Sequence, residues 1–224
     1  MTSPQIDGPR LAPASGGAPK QLVIFAHGYG ADGNDLIGLG AQWQQVLPDA
    51  AFVSPDAPEP CAGSPMGRQW FPITRLDPNE YWNGVTQAAP ILDAFIDQEL
   101  GRAGLTMSDL ALVGFSQGTM MSLHVGLRRE QAPAAIIGYS GTLAGPERLE
   151  EGLRCKPPVL LVHGDQDELI PVAALHVASQ ALGAAGISVR WHVSEGVGHG
   201  IDGMGLALGA EFLRDAFAGK PAQI

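Results

Sequence analysis

Residues 110–129 of this 224-residue chain read LALVGFSQGTMMSLHVGLRR, and the other predicted strands and helices are organised around this stretch. Its first five residues are apolar and have the length of a buried strand, whereas residues 117–129 are good helix formers or apolar. Between them, residues 114–118 (GFSQG) carry the pattern G-x-S-x-G. Where a strand turns sharply into a helix, such glycines let backbones pass closely while the central serine is held exposed and strained. We therefore predict that Ser116 is a nucleophile.

Apolar runs on both sides of this stretch alternate with helical patterns. The predicted strands are Gln21–Ala26 and residues 51–54, 110–114, 134–139, 158–163 and 187–193, and the predicted helices are residues 34–46, 85–100, 117–129 and 172–182 and Gly203–Phe217. This alternation predicts an α/β fold with a mostly parallel sheet, helices on both faces and right-handed crossovers. Because no repeat or linker interrupts it, we predict one domain over residues 20–224. Residues 1–19, rich in Pro, Gly, Ala and Ser, are predicted to be a surface segment or a short edge strand.

The composition restricts the partners that the chain can have. Hydrophobic residues make up 45% and charged residues 16%, which is the balance of a globular protein. The net charge of -10, with only 13 Lys and Arg, argues against binding to nucleic acid or to an anionic membrane. We expect no secretory leader and no membrane span, because the N-terminus lacks an apolar core and no apolar stretch is long enough. Cys61 and Cys155 lack metal-site spacing, which favours a reduced, cytoplasmic protein; the oligomeric state, a homodimer included, stays open.

A serine hydroxyl is a weak nucleophile at neutral pH, so Ser116 needs a base, and the base needs an acid that orients it. When a nucleophile sits on such an elbow, the partners follow in the chain order serine, acid, histidine. Among the histidines near the end of the chain, His176 falls in a helical pattern and His192 in a strand, where packing or surface roles are usual. His199 lies in a Gly-His-Gly loop between a strand and a helix. It is therefore the predicted base.

The acid is expected in the loop after the preceding strand, where residues 163–171 read HGDQDELIP. Asp165, Asp167 and Glu168 compete for this role, and their spacing alone does not separate them. Asp165 could accept backbone N–H bonds of its own turn, and Glu168 could favour the start of the helix that Pro171 opens. Asp167 is the preferred acid.

Acyl transfer also needs hydrogen-bond donors for the oxyanion of the tetrahedral intermediate. On a nucleophile elbow one donor is the backbone N–H of the following residue, here Gln117. The second is expected from the loop after Gln21–Ala26, where Tyr29 is the favoured donor. His27 and His163 are predicted to brace their loops.

Residues 57–82 differ from the rest of the chain because they are rich in proline and aromatic residues and have no clear period. Trp70, Phe71, Tyr81 and Trp82 lie in this segment, and the two tryptophans and Tyr81 are expected to be exposed. A long loop in a compact domain is more often a binding element or a lid than a plain connection.

Five of these motifs, taken together and in order, resemble the phospholipase/carboxylesterase family of α/β-hydrolases. They are residues 27–33 (HGYGADG), 68–73 (RQWFPI), 114–118 (GFSQG), 163–167 (HGDQD) with Ile170-Pro171, and Gly198-His199. The resemblance covers about residues 20–217. It implies an α/β-hydrolase fold with a minimal lid, a Ser116, Asp167 and His199 triad, an oxyanion hole from Tyr29 and Gln117, and no cofactor or metal.

The resemblance also makes the loop with Trp70 and Phe71 the acyl-binding segment; the alternative is an apolar plug that seals the domain. Met66, Met120 and Met121 are expected in the core. Two positions depart from the family pattern: Thr119, where a second glycine is frequent, and Tyr29, where an aliphatic residue is frequent and the acyl pocket could change.

The sequence thus predicts a serine carboxylesterase that hydrolyses small, soluble carboxylic esters through an acyl-enzyme. The alternatives are an acyl-protein or other acyl thioesterase, or a lysophospholipase, because these enzymes share the same chemistry. A ligand-binding protein that keeps the fold without turnover is a third alternative.

Overall fold

The computed structural model describes residues 5–75 and 77–220. Within them, seven strands form one sheet in the order β1-β3-β2-β6-β7-β8-β9, and β4 and β5 form a separate two-stranded ribbon. The strands are β1 (Arg10–Leu11), β2 (Gln21–Ala26), β3 (Ala50–Val53), β4 (Glu59–Pro60), β5 (Arg68–Gln69), β6 (Leu110–Phe115), β7 (Ala135–Tyr139), β8 (Val159–Gly164) and β9 (Val189–Ser194). All neighbours in the large sheet pair in parallel except β1, which is antiparallel to β3. The predicted α/β-hydrolase fold is confirmed.

Helices cover both faces of this sheet. They are α1 (Gly33–Trp43), α2 (Pro78–Ala103), α3 (Gln117–Gly126), α4 (Ala173–Ala184) and α5 (Gly203–Phe217). Side chains of a strand point alternately to the two faces, so Leu22 and Ile24 of β2 join the core beneath α2, α3 and α4. Val23 and Phe25 join the core beneath α1 and α5. Among the described residues, no helix is both long and apolar enough to cross a lipid bilayer.

The parallel arrangement places the carboxyl ends of the central strands at one edge of the sheet. The loops after β2, β6, β8 and β9 all start there, and β6 lies directly between β2 and β7. Open α/β sheets carry their sites at this edge. These four loops carry the predicted triad and oxyanion residues, whereas Trp70 and Phe71 follow β5.

The described residues between 57 and 82 contain more regular secondary structure than the sequence predicts. They include the β4–β5 ribbon, and α2 begins at Pro78, two turns before the predicted start at residue 85. Asp77 caps this helix by accepting the N–H of Asn79, and proline suits its first turn. Tyr81 and Trp82 therefore lie in a helix, and Trp70 is 1% exposed, so the expectation that it would be exposed is wrong.

Several other helix ends differ from the predictions by one to three residues, as two examples show. Asp32, and not Asn34 or Asp35, caps α1 by accepting the N–H of Asn34 at 2.8 Å. Helix α3 ends at Gly126, three residues before the predicted end. Both shifts are local, and neither changes the topology.

The described part of the N-terminal segment packs on the rest of the chain. Ile6 is buried, and Arg10 and Leu11 add the edge strand β1 to β3. Arg10 also donates to the buried carboxylate of Glu99 on α2, with Nη2 to Oε1 at 2.9 Å. Residues 1–4 lie outside the described residues, and the domain boundary after residue 19 stays a prediction.

Candidate active site

Ser116 lies on the sharp turn between β6 and α3. Its φ of 54° and ψ of -115° lie outside the regions that non-glycine residues favour. A Cβ atom on Gly114 would come 2.3 Å from the carbonyl oxygen of Gly118, and one on Gly118 would come 1.8 Å from that of Ala26. Both positions therefore require glycine, and the backbone at Ser116 is strained because the strand and helix pass so closely.

A cavity of about 360 Å³ opens beside this turn. Ser116 and His199 both line it, and the ring of His199 packs against that of Phe115 with centroids 5.0 Å apart. The other lining residues are Gly28, Tyr29, Ala31, Ile73, Thr74, Tyr81, Met120, Leu169 and Ile170. The nucleophile and base predicted from the sequence thus face one mainly apolar cavity.

Asp167 is the carboxylate that contacts His199. Its Oδ2 accepts from His199 Nδ1 at 2.7 Å, and its Oδ1 accepts the backbone N–H groups of Leu169 and Ile170 at 2.9 Å each. Burial by itself would raise the pKa of Asp167, but the N–H of Ile170, His199 and the N–H of Leu169 together hold it below the usual value. Asp167 therefore stays a carboxylate and fixes the proton of His199 on Nδ1, which leaves Nε2 as the basic nitrogen.

The two competing carboxylates have other surroundings. Asp165 accepts the N–H of Gly196 at 2.7 Å, so it joins its own loop to the loop that carries His199. Glu168 is exposed, and α4 begins only at Ala173. Among the described residues, Asp167 is the one of these three carboxylates that forms a hydrogen bond with His199, a distinction that sequence spacing did not make.

His27 is buried and braces the loop after β2. The N–H of Ala57 donates to Nε2 at 2.9 Å, so Nδ1 carries the proton that is donated to the carbonyl of Gly28 at 2.7 Å. Burial lowers the pKa of His27, which keeps the ring neutral. Both ring nitrogens therefore have hydrogen-bond partners, and His27 helps to hold the backbone of Gly28 and Tyr29 in place.

The three remaining histidines considered in the sequence lie outside the cavity. His163 is buried, with Nε2 2.7 Å from the carbonyl oxygen of Ile170 and 3.2 Å from Oδ2 of Asp167, so it braces the acid loop. The rings of His176 on α4 and Trp191 on β9 meet edge to face, with centroids 5.3 Å apart. His192 lies on β9, beside Val162 in the sheet.

Two backbone N–H groups beside Ser116 are available to a ligand. Among the described residues, neither the N–H of Tyr29 nor that of Gln117 donates to a protein acceptor. Gln117 is the first residue of α3, and a Cβ atom on Gly28 would come 3.3 Å from Cβ of Ser116, which puts the Gly28–Tyr29 peptide beside the nucleophile. Unpaired donors in this position suit a developing oxyanion.

Trp70 and Phe71, predicted to bind the acyl group, lie beneath the cavity and do not line it. They are 1% and 2% exposed, and Trp70 Nε1 donates to the carbonyl of His27 at 3.0 Å. The side chain of Gln117 holds both residues: its Oε1 accepts the N–H of Trp70 and its Nε2 donates to the carbonyl of Phe71. This burial and the hydrogen bonds that tie the loop to the elbow favour the alternative, an apolar plug, and the acyl-binding role of the two residues stays a prediction.

Apart from Tyr29, the apolar wall of the cavity comes mainly from residues that the sequence analysis did not assign to a pocket. Ile73 follows the buried pair after Pro72, and Met120, expected in the core, lies one turn after Ser116 on α3 and lines the cavity. Tyr29 lines it as well, whereas Met66 is 88% exposed. The i, i+4 spacing of Ser116 and Met120 was the available signal.

Thr119 fits its position without disturbing the elbow. Its Oγ1 lies 2.9 Å from the carbonyl oxygens of both Gly114 and Tyr139. The side chain is 2% exposed. This departure from the family pattern therefore adds a buried hydroxyl that has acceptors, at the junction of β6, β7 and α3.

The fold and the elbow at its sheet edge are those of an α/β-hydrolase. The model of the phospholipase/carboxylesterase family matches residues 12–216, and the chain belongs to this family. Among solved structures, esterase PE8 is similar, with a TM-score of 0.91 and 44% identity over 95% of this chain and 99% of the other.

Curated relatives have similar lengths. Esterase YpfH of Escherichia coli is 29% identical over 87% of this chain and 82% of its own. Acyl-protein thioesterase 1 of Gibberella zeae is 28% identical over 85% of this chain and 89% of its own. The predicted family and an enzyme of the carboxylic ester hydrolase type are thereby confirmed.

Proposed function

We propose that this protein is a serine carboxylesterase whose nucleophile is Ser116. His199 takes the proton of the Ser116 hydroxyl as the oxygen attacks the ester carbonyl, and gives it to the departing alcohol. Water, activated by the same imidazole, then cleaves the acyl-enzyme and releases the acid. Asp167 orients the ring throughout. The observation that carries this proposal is the 2.7 Å hydrogen bond that His199 Nδ1 donates to Asp167, because this histidine shares a cavity with the strained elbow serine.

The oxyanion of the tetrahedral intermediate would be bound by the N–H groups of Tyr29 and Gln117. Support for this role comes from their unpaired state in the described part of the chain and from the position of Gln117 at the start of a helix. Removing one oxyanion donor typically costs about 3 kcal/mol of transition-state stabilisation.

The size of the cavity favours small esters. Its volume of about 360 Å³ lies near the lower end of the range of about 300–1,000 Å³ for small-molecule sites. Ile73, Met120 and Leu169 supply apolar surface for an acyl chain. The acidic net charge of -10 is unfavourable for anionic lipid surfaces, which supports a soluble substrate.

The test is ester hydrolysis by the purified protein. The wild type should hydrolyse p-nitrophenyl butyrate, and Ser116→Ala should reduce the rate by at least about a thousandfold. A fluorophosphonate probe should label Ser116 in the wild type and fail to label His199→Ala. Equal rates for wild type and Ser116→Ala would refute the proposal, and an unreactive Ser116 in the folded wild type would favour a ligand-binding protein.

Thioester hydrolysis is a second candidate, because one of the similar proteins is named acyl-protein thioesterase 1. The same residues would attack a thioester carbonyl. Rates for matched butyryl oxygen esters and thioesters separate the two activities, and a preference of more than about tenfold for the thioester would make it the main one.

We also propose that the protein works in the cytoplasm. Cys61 and Cys155 are buried and free, which suits a reducing compartment. Fractionation of the source cells tests this location, and recovery outside the cytoplasmic fraction would refute it.

A further inference from the structure

One wall of the cavity is a segment without regular secondary structure. Residues 73–75 lie between the buried Trp70–Phe71 pair and α2, and Ile73 and Thr74 of this segment line the cavity. The side chain of Gln117 anchors the segment at its start, through the N–H of Trp70 and the carbonyl of Phe71. These two hydrogen bonds hold only the start of the segment and do not reach Thr74 and Arg75.

Glu80 anchors these two residues from the first turn of α2. Its Oε1 accepts the N–H and the hydroxyl of Thr74 at 2.7 and 2.5 Å, and its Oε2 accepts the N–H of Arg75 at 2.9 Å. The side-chain hydrogen bond of Thr74 and the N–H of Arg75 lower the pKa of Glu80 to about 2. The group is therefore a carboxylate at any pH where an esterase works, and it reaches back to the wall.

We propose that Glu80 is a positioning residue that holds residues 73–75 against the cavity and thereby sets the acyl chains accepted there. The proposal rests on the proposed esterase function. An acetyl group has one methyl beyond the carbonyl and makes little contact with the walls, whereas a hexanoyl chain must pack along them. A loosened wall therefore affects the longer ester more.

The first test compares p-nitrophenyl acetate with p-nitrophenyl hexanoate. Glu80→Ala should lower kcat/KM for the hexanoate by about tenfold, mainly through KM, and for the acetate by less than about twofold. Glu80→Gln should fall between, because its amide keeps an acceptor for Thr74 and turns a donor towards the N–H of Arg75. Asp97→Asn is the matched control on the same helix, where the carboxylate pairs with Arg129 instead.

The second test does not depend on activity. Trypsin should cleave after Arg75 about tenfold faster in Glu80→Ala than in the wild type or in Asp97→Asn, with the cut identified by mass spectrometry. Thermal unfolding of each variant establishes that it is folded at the temperature of the assay.

Several outcomes would overturn the inference. Equal losses for both esters, or no loss, would show that Glu80 does not act through the acyl wall. Unchanged cleavage after Arg75 would show that Glu80 does not hold the segment. If the wild type hydrolyses neither ester and Ser116 is not labelled, the proposed function fails and the acyl selectivity falls with it, whereas the proteolysis result still decides whether the anchor exists.

Discussion

Replacing Asp167 by Asn changes one atom in the proposed triad and should inactivate it. The carboxylate accepts from His199 on Oδ2 and from two backbone N–H groups on Oδ1. Asn has one acceptor oxygen and one donor nitrogen, so on one side of the amide two hydrogen-bond donors would face each other. The backbone N–H groups of Leu169 and Ile170 cannot become acceptors, whereas the imidazole can carry its proton on Nε2 instead of Nδ1. We therefore expect the oxygen to keep both backbone bonds and the amide nitrogen to donate to His199 Nδ1.

This substitution places the imidazole proton on Nε2, where the base must accept the proton of Ser116. The equivalent change in a serine protease triad lowers kcat by about 10⁴, or about 5.4 kcal/mol of transition-state stabilisation. The assay is the steady-state hydrolysis of p-nitrophenyl butyrate, together with the rate of fluorophosphonate labelling.

Asp165→Asn is the matched control for this prediction. Asp165 lies two residues away and accepts from Gly196, a bond that an Asn oxygen retains. We expect this variant to keep kcat/KM within about threefold, because it does not change the tautomer of His199. A folded Asp167→Asn variant with activity within tenfold of the wild type would refute the tautomer reasoning.

Two further predictions concern stability. Gly118→Ala should lower the free energy of unfolding in urea by more than about 3 kcal/mol, because its Cβ would meet the carbonyl of Ala26. Gly101→Ala, in open space on α2, should raise it by up to about 1 kcal/mol, and equal effects of the two substitutions would contradict the close-approach argument. Burial, with a smaller effect of Arg128, lowers the pKa of His124 to about 4. Since the unfolded state gains this proton first, stability should fall as the pH drops from 6.5 towards 4, and by about 2 kcal/mol more in the wild type than in His124→Gln between pH 7 and 4.5; parallel pH curves would contradict it.

The sequence was most informative where local pattern and topology agree. The run from Gln21 to Ala26 is apolar at each position after the first, because a central parallel strand is buried on both faces, and its bounds match the structure. The glycines around Ser116 were recognisable for a similar reason, since the close approach that requires them is a property of the turn itself. The order serine, acid, histidine then limited the partners to two loops.

The aromatic loop shows where such reasoning stops. Trp70 and Phe71 have the composition of a binding element, yet their backbone is hydrogen-bonded to the side chain of Gln117, 47 and 46 positions away, beneath the elbow. The sequence pattern did not predict the start of α2, because the high proline and aromatic content of the segment obscured the helix-start signal of Asp77 and Pro78. Ile73 and Tyr81 line the cavity because the Trp70–Phe71 loop is buried beneath the elbow and because α2 begins as early as Pro78.

By itself, the chain's pattern of apolar runs, glycines and turn residues determined the sheet, the elbow and the set of loops at its carboxyl edge, because these depend on local periodicity and close contacts. The tertiary structure decided what residue spacing left open, namely which of three carboxylates contacts His199 and which side chains wall the cavity. These are distances between segments far apart along the chain, and they are set by packing that no local stretch encodes.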